Sequence, residues 1–457
     1  MAERGPVDAP AKVNSFADFT ALFGERTTYG SLWDDVRTFF EEGGTRAYAL
    51  RVVGPAATVG NVATPLEDRA TTPADTVTVA AASPGAWSSR VSVNVMDGAT
   101  SATFRIQVLL DGVVVEDYSA LTSPQQAVSR INAKSIYIRL ADAGSATPAP
   151  GNNPAATASP VTLAAGTDDR TSVTATQYTA ALPKFVKGFG DGAVALPGAG
   201  PSVHNALIEH ADEFNRVALL SHARGTDVSA LESYAAGLDA KRAGLFAPWI
   251  RIPDDYGGTR AISPDGYVAA SRAKAHENDG PWRAAAGENS KARFVLEPDQ
   301  VFTPNEADAL DTAKVNAVRT IANSTRLYGW RSLSEDFDNW ALLTGADVIN
   351  RYVVQAEKDL EPYVFATIDS SGHLLATVRG TLIGIAQPMA ARSGLFARYN
   401  DSGDQVDPGY VVSTDSTLNS VASLAQNRIF ANVGLRVSPT AALVTLTVSK
   451  AGVTAAL

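Results

Sequence analysis

In "SFADFTALFG" the aromatic positions Phe16, Phe19 and Phe23 fall on one helical face, so the segment reads as an amphipathic helix. Ser15 reads as its N-cap, Asp18 suits the positive end of the helix dipole, and Gly24 closes it. A second helix follows in "SLWDDVRTFFEEGGTR", where Leu32, Val36, Phe39 and Phe40 recur at helical spacing and Gly43–Gly44 end the run. "AYALRVVG" then reads as a buried strand. From Thr76 the period changes to two. "TVTVAAA", "RVSVNVMDG", "ATFRIQVLLDG" and "VVVEDYSAL" predict strands, with Asp111–Gly112 as a hairpin turn. A short helix over Ser123–Asn132 and the strand "SIYIRLAD" complete this β-rich module.

The Ala/Pro/Gly/Ser/Thr stretch "AGSATPAPGNNPAATASPVTLAAGTDD" lacks the apolar content to build a core, so it reads as a linker or surface loop. After it, strands and helices alternate. "GAVALPG" leads to "SVHNALIEHADEF", "RVALLS" to "DVSALESYAAGLDAK", and "AGLFAPWIRI" to a helix beginning at Ser263. That alternation predicts a parallel sheet covered by helices. Beyond Pro298 come a long helical stretch, "NWALLTGADVINRYVVQAEKDLEPYVF", the strand "RIFANVGLRVS" and a final strand within "AALVTLTVSKAG".

A chain of 457 residues predicts more than one domain. Its net charge of −10, from 38 basic and 48 acidic residues, lacks the basic stripe with which nucleic-acid binders neutralise phosphates. There is no cysteine, which excludes disulfides and thiolate nucleophiles. The N-terminal residues have no apolar signal-peptide core, and "GTLIGIAQPMAA" reads as too short for a bilayer span and broken by Pro388.

Candidate chemistry is sparse. "GFGDG" (Gly188–Gly192) departs from a dinucleotide fingerprint in glycine spacing and reads as a turn entering a strand. His222 follows "VALLS", at the carboxyl end of an expected parallel strand, where open α/β sheets place ligands. With Ser221 and Asp227 nearby, it is the one hydrolase-like candidate. The nucleophile elbow is missing, however, and adjacent strand residues point apart. No histidine pair has metal-binding spacing, since His204 and His210 lie about 240° apart around a helix. "SEDFDNW" brings Glu335, Asp336 and Asp338 close in sequence to Arg326 and Arg331. It reads as a cation site, as helix-start acids with Ser334 as cap, or as an interface patch. Composition and spacing therefore assign no catalytic residue, metal or cofactor.

Five stretches in order resemble the contractile tail sheath family of phages, R-type bacteriocins and related injection systems. "RGPVDAPAKVNSFADFTALFG" (Arg4–Gly24) resembles its early glycine–proline turn and Phe-rich helix. "FFEEGGTRAYALRVV" (Phe39–Val53) is similar to its paired-glycine helix end and following strand, and "SPGAWSSRVSVNV" (Ser83–Val95) to the entry of its β-rich insertion. The most specific match is Phe246–Glu288, with a Pro-Trp strand, a helix start, a loop and a Gly-x-Trp-like segment. Val315–Asp336 is similar to the C-terminal signature, although Ser332 replaces a threonine and Trp330 a smaller residue.

The resemblance implies a non-enzymatic structural subunit, polymerising around an inner tube in a metastable extended state and contracting to drive the tube through a target envelope. It implies an α/β fold (a parallel sheet flanked by helices) with a β-rich inserted domain and a C-terminal α+β domain. The expected divisions are 1–60 and 171–297 for the α/β core, 75–145 for the insert, 146–170 for the linker and 298–457 for the C-terminal domain. Partners implied are further copies of the chain, the inner tube, and baseplate and terminator proteins, without nucleic-acid binding or membrane insertion. The particle would assemble in the bacterial cytoplasm and become part of a phage tail or injection device. The final strand, with Leu443, Val444, Thr445, Leu446, Thr447 and Val448, is expected to be an arm that adds to a neighbour's sheet. Arg326, Arg331, Glu335, Asp336 and Asp338 are expected at contacts between subunits or with the tube. Trp249 and Trp282 are expected to pack, and His276 to sit in an exposed loop. The family's first arm and core strand would precede Arg4, so a chain beginning at Met1 is expected to assemble poorly on its own.

Overall fold

The computed structural model describes residues 1–442, with mixed helices and strands. They pack into two compact units. The first comprises Met1–Phe189, Ala195–His210 and Arg251–Ala270, and the second the remainder.

In the first unit, β1 (Ala11–Val13) pairs antiparallel with β2 (Ala47–Ala49), and between them lie α1 (Phe16–Phe23) and α2 (Leu32–Glu41). Ser15 caps α1 by accepting from the Asp18 amide, and Gly24 ends it at φ 85°, a left-handed conformation that suits glycine. Phe19, Phe23, Trp33 and Val36 form a small core. The buried side of α2 also takes in Asp34, Asp35 and Thr38, whereas Phe39 and Phe40 are only half-buried. The apolar spacing of α2 did not foretell this.

The β-rich module consists of two antiparallel sheets around one core. One contains β3 (Leu66–Glu67), β4 (Asp75–Ala81) and β8 (Ile138–Asp142), in the order β3-β4-β8. The other contains β5 (Val91–Asp97), β6 (Phe104–Leu110), β7 (Val113–Leu121) and β9 (Val161–Thr162), in the order β7-β6-β5-β9. Alternate residues such as Val91, Val93, Val95, Ile106 and Val108 point into this core, joined by Ile131 of α3 (Pro124–Asn132). Asp111 and Gly112 both have positive φ, 51° and 80°, as a two-residue hairpin turn requires. The stretch expected to be a linker is fastened to the module. β9 pairs with β5, Leu163 and Asn153 are buried, and the Asp68 carboxylate accepts from Ser145 and Thr147. Small and polar residues serve here because main-chain pairing and hydrogen bonds do the fastening.

The remainder of this unit includes α4 (Ala175–Ala181), the hairpin strands Ile250–Pro253 and Thr259–Ile262, and the first turns of the helix Asp265–Asn278. That helix approaches α2 so closely that a Cβ on Gly266 would lie 2.2 Å from the Asp35 carbonyl oxygen.

The second unit is built on a five-stranded sheet. Its strands are β10 (Ala193–Ala195), β11 (Val217–Ser221), β12 (Ala243–Ala247), β16 (Val315–Ile321) and β17 (Ser324–Tyr328), in the order β10-β11-β12-β16-β17. The numbering leaves β13 and β14 for the hairpin above and β15 for Glu297–Pro298. β11, β12 and β16 run parallel, while β17 returns antiparallel through Ala322 and Asn323, both at positive φ. Every residue of β11 and β12 is buried, which explains their continuous apolar sequence. The helices in this part of the chain are α5 (His204–Phe214), α6 (Val228–Ala236), α7 (Asp265–Asn278), α8 (Pro304–Thr312), α9 (Phe337–Trp340), α10 (Leu343–Leu360) and α11 (His373–Ala391).

Val378, Leu382, Ile385 and Met389 of α11 pack with Val348 and Tyr352 of α10 in a second core. α11 runs through Pro388 instead of ending there. The proline sits in the final turn, where only the bond to the Gly384 carbonyl is lost. By length and hydropathy α11 could cross a bilayer, but its single buried stripe is the pattern of a helix packed on a core.

These contacts predict opposite outcomes for two glycines. Gly266→Ala must displace backbone and should destabilise by about 1–3 kcal/mol. Gly380→Ala, on an open face of α11 with nothing within 4 Å, should be neutral or stabilise by about 0.5–1 kcal/mol. Urea or thermal denaturation of the two variants distinguishes them.

Candidate functional site

Asp347 enters the second unit from the start of α10 and is fully buried. Such a carboxylate needs partners, and three converge on it. Arg272 donates from Nε at 2.8 Å and Trp330 from Nε1 at 3.2 Å, while His276 Nε2 lies 3.4 Å away. Burial opposes the ionised form of Asp347, but the charge of Arg272, with the hydrogen bonds that Arg272 and His276 offer, outweighs it, so its carboxyl sits below the usual range. His276 moves down as well, through burial first and then the Arg272 charge, which favours neutral imidazole. Arg272 also donates to the Asp191 carbonyl at 3.0 Å, and Arg351 donates to the Asp191 carboxylate at 2.8 Å. The GFGDG turn is thereby tied to α7 and α10.

This corrects the reading of His276, which lies in the last turn of α7 with 6% of its side chain exposed. Its i−4 neighbour is Arg272, and that spacing was the available signal. Trp249 donates to the His222 carbonyl, and Trp282 packs on the core of α10 and α11.

His222 is held in place by its neighbours. Its Nδ1 meets Thr226 Oγ1 at 2.7 Å, its ring packs edge-on against Tyr234, and burial lowers its pKa. Asp227 instead caps α6, accepting from Ala230 N and Ser229 Oγ. The adjoining void measures about 10 Å³, room for no more than a water.

Glu335, Asp336 and Asp338 of "SEDFDNW" lie on one exposed stretch, but the two arginines do not join them. Arg326 pairs with Glu288 at 2.6 Å, and Arg331 holds Asp311 through two bonds of 2.7 and 3.0 Å. Asp336, rather than Ser334, caps α9, accepting from the Asn339 amide. Glu335 and Asp338 remain exposed. Among the described residues no metal-binding group of His, Asp and Glu forms.

Asp338 edges a cleft of about 840 Å³. Trp340 and Ile349 line one part, and Val411, Leu435 and Arg436 line another. Val411 belongs to β20 (Tyr410–Ser413), which follows β18 (Arg398–Tyr399) and β19 (Gln405–Asp407), and Leu435 to β21 (Asn432–Leu435). β20 and β21 form an antiparallel pair that has no third strand among the described residues. The expected arm, Leu443 to Val448, lies outside the described residues.

The mixed helices and strands of both units define an α/β class of protein, and comparison with solved structures sharpens that. The fold is that of the tail sheath proteins of contractile injection systems. The chain aligns over 99% of its length with 92% of the sheath protein of an extracellular contractile injection system, PVC, in its contracted state (14% identity, TM-score 0.59). It covers 87% of a sheath tail protein from Listeria innocua over 91% of its own length (12% identity, TM-score 0.61). The contracted helical sheath protein of the anti-feeding prophage aligns over 99% of this chain and 94% of its own (13% identity, TM-score 0.56). No family profile and no curated protein sequence matches the chain.

The Asp347 cluster yields a stability prediction. Arg272→Met leaves a buried carboxylate without its cation and should destabilise by about 3–5 kcal/mol. Arg272→Met combined with Asp347→Leu should recover much of that loss, as a double-mutant cycle by denaturant unfolding will read.

Proposed function

We propose that this chain is the structural subunit of a contractile tail sheath. It polymerises around an inner tube in a metastable extended state and shortens to drive the tube through a target envelope. The observation that carries this reading is the alignment of 99% of the chain with sheath proteins in the contracted state. In this reading the subunit has an α/β core (1–60 and 171–297), a β-rich insert (75–145), a connecting stretch (146–170) and a C-terminal α+β domain (298–457). Its partners are further copies of itself, the tube, and baseplate and terminator proteins. It works without catalysis, without binding nucleic acid and without entering a membrane. It is assembled in the bacterial cytoplasm into the tail particle.

Energy for contraction resides in the difference between two packings of identical subunits, since packed interfaces are bistable. Neighbours must stay linked through that change. An alternating segment such as Leu443, Val444, Thr445, Leu446, Thr447 and Val448 suits such a link, because main-chain pairing holds while connecting loops rotate. The unaccompanied pair β20·β21 beside the cleft is the receiving edge we propose in a second copy. Arg326 and Arg331, both engaged within the chain, are proposed to shape the surface around the contact, and Glu335, Asp336 and Asp338 to meet a neighbour or the tube.

Co-expression with its tube protein and electron microscopy test the reading, with hollow striated sheaths expected. Deleting the residues after Ala442 should abolish them and leave soluble subunits. Striated sheaths from the shortened chain would refute the arm, and failure of the full chain to polymerise with a tube would refute the sheath reading. Glu335→Lys with Asp338→Lys should impair assembly while leaving the melting temperature unchanged. Asp336→Lys should also remove a helix cap, at about 1 kcal/mol of stability.

A further inference from the structure

In the first unit the apolar core of the β-rich module, which includes Trp87 and Tyr137, is separate from the core of Phe19 and Phe23 around α1 and α2. Residues 2–6 lie against both. Ala2 belongs to the α1 core, and the Arg4 amide donates to the Phe23 carbonyl at 3.1 Å. The next amide, that of Gly5, donates to Ser83 Oγ at 3.1 Å, at the entry to the module. Gly5 has φ 115°, and a Cβ there would lie 2.6 Å from the Phe23 ring, so the segment passes close over the end of α1.

Arg4 is enclosed in this passage, 5% exposed. Its Nη2 donates to the Thr20 and Ala21 carbonyls, at 3.3 and 3.0 Å, in the last turn of α1, where the helix dipole favours a cation. The same guanidinium lies over two rings of the module, 5.2 Å from the centre of Tyr137 and 5.9 Å from that of Trp87. Both rings are buried, and cation–π attraction is stronger out of water. One planar group thus answers α1 with its donors and the module with its face. Glu3 supplies the counter-charge. Its Oε2 accepts from Arg4 Nη1 at 3.2 Å and from the Glu25 amide at 2.9 Å, and its Oε1 pairs with Arg90 at the start of β5.

We infer that residues 2–6 are a strap with Arg4 as its bolt, and that the bolt fixes the angle between the β-rich module and the core of α1 and α2. The chain enters and leaves the module side by side, where the Thr58 and Thr167 amides donate to each other's carbonyls at 2.8 and 3.0 Å. Arg51 braces that crossing through the Pro84 carbonyl and Asp168. A crossing of two neighbouring chain segments is a hinge unless something else holds the module. The Gly5–Ser83 bond and the Glu3–Arg90 pair follow the course of the strap, which Arg4 sets. The joint belongs to the single subunit, whatever that subunit assembles into.

Such a joint separates the stability of the module from its placement. Each core keeps its own apolar packing when the bolt is withdrawn, and what is lost is the fixed angle. Arg4→Met keeps an unbranched apolar stem beside Trp87 and Tyr137 but carries no charge and donates no hydrogen bond. Arg4→Lys keeps the charge without the planar fork, so its ammonium serves the α1 carbonyls or the rings, and not both.

The chain has no cysteine, so an introduced pair takes spin labels at those two positions alone. Glu41→Cys on α2 and Ser129→Cys on α3, both exposed, report the distance from the α1–α2 core to the module in the full chain by double electron–electron resonance. With Arg4 in place the distance distribution should be narrow. Arg4→Met should roughly double its width and Arg4→Lys should widen it less, while amide exchange of β5 and β6 stays within about twofold of the parent chain. A broad distribution with Arg4 in place, or an unchanged narrow one in Arg4→Met, would overturn the bolt. Faster exchange throughout β5 and β6 in Arg4→Met overturns it as well, because the strap would then be part of the module's core and not a joint.

Discussion

The second unit is organised by the need to neutralise one carboxylate, Asp347. A buried ionised group is destabilising unless cations and hydrogen-bond donors surround it, so its position dictates what must lie nearby. Arg272 and His276 come to it from α7, and Trp330 from the turn after β17. Arg272 then reaches the Asp191 carbonyl before β10. Three segments far apart in sequence are thus linked to α10, two of them directly by the Asp347 side chain and the third through Arg272. An apolar core alone would tolerate sliding of helices against the sheet, whereas a hydrogen-bonded charge cluster specifies one arrangement.

Polar groups inside the same unit extend this. Buried Asn350 on α10 accepts from Arg242 and donates to the Arg216 carbonyl, next to β11. Buried Asn316 on β16 donates to the Leu245 and Arg331 carbonyls and accepts from the Arg331 amide. Gly244 on β12 leaves space where a Cβ would meet Leu343 at 2.8 Å. The α10–sheet contact is consequently rigid. The pair β20·β21 contrasts with it: short, two-stranded, and flanked by exposed Phe396, Val406 and Val411. Among the described residues this two-stranded pair leaves open strand edges, whereas the five-stranded sheet is pinned by buried polar contacts.

The first unit places its polar interior differently. Asp34 is compensated by arginines, while Asp35 beside it has only hydrogen-bond donors. Consecutive residues of one helix therefore occupy opposite electrostatic settings, because one points toward the Arg26 and Arg260 side and the other toward the start of α7. No local sequence feature separates them.

Where a periodicity is decided within a few residues, it was legible in the sequence. The Ser15 cap, the Gly24 terminus, the alternating strands of the β-rich module, the Asp111–Gly112 turn and the uniformly apolar β11 follow from local sterics and from which face meets the core. Five ordered stretches also carried the likeness to sheath proteins, although identities of 12–14% leave little of it to any one motif. What the tertiary structure decided was where charged side chains end up. His276 was expected at the surface and is buried, Arg326 and Arg331 select Glu288 and Asp311 over the nearby acids, and Asp336 replaces Ser334 as a cap. The stretch after β8 is held down by partners up to 117 residues away. A charged or polar residue is stable in water or in a compensated interior, and that choice depends on which distant donors the fold delivers, information that is absent from its own neighbourhood in the chain.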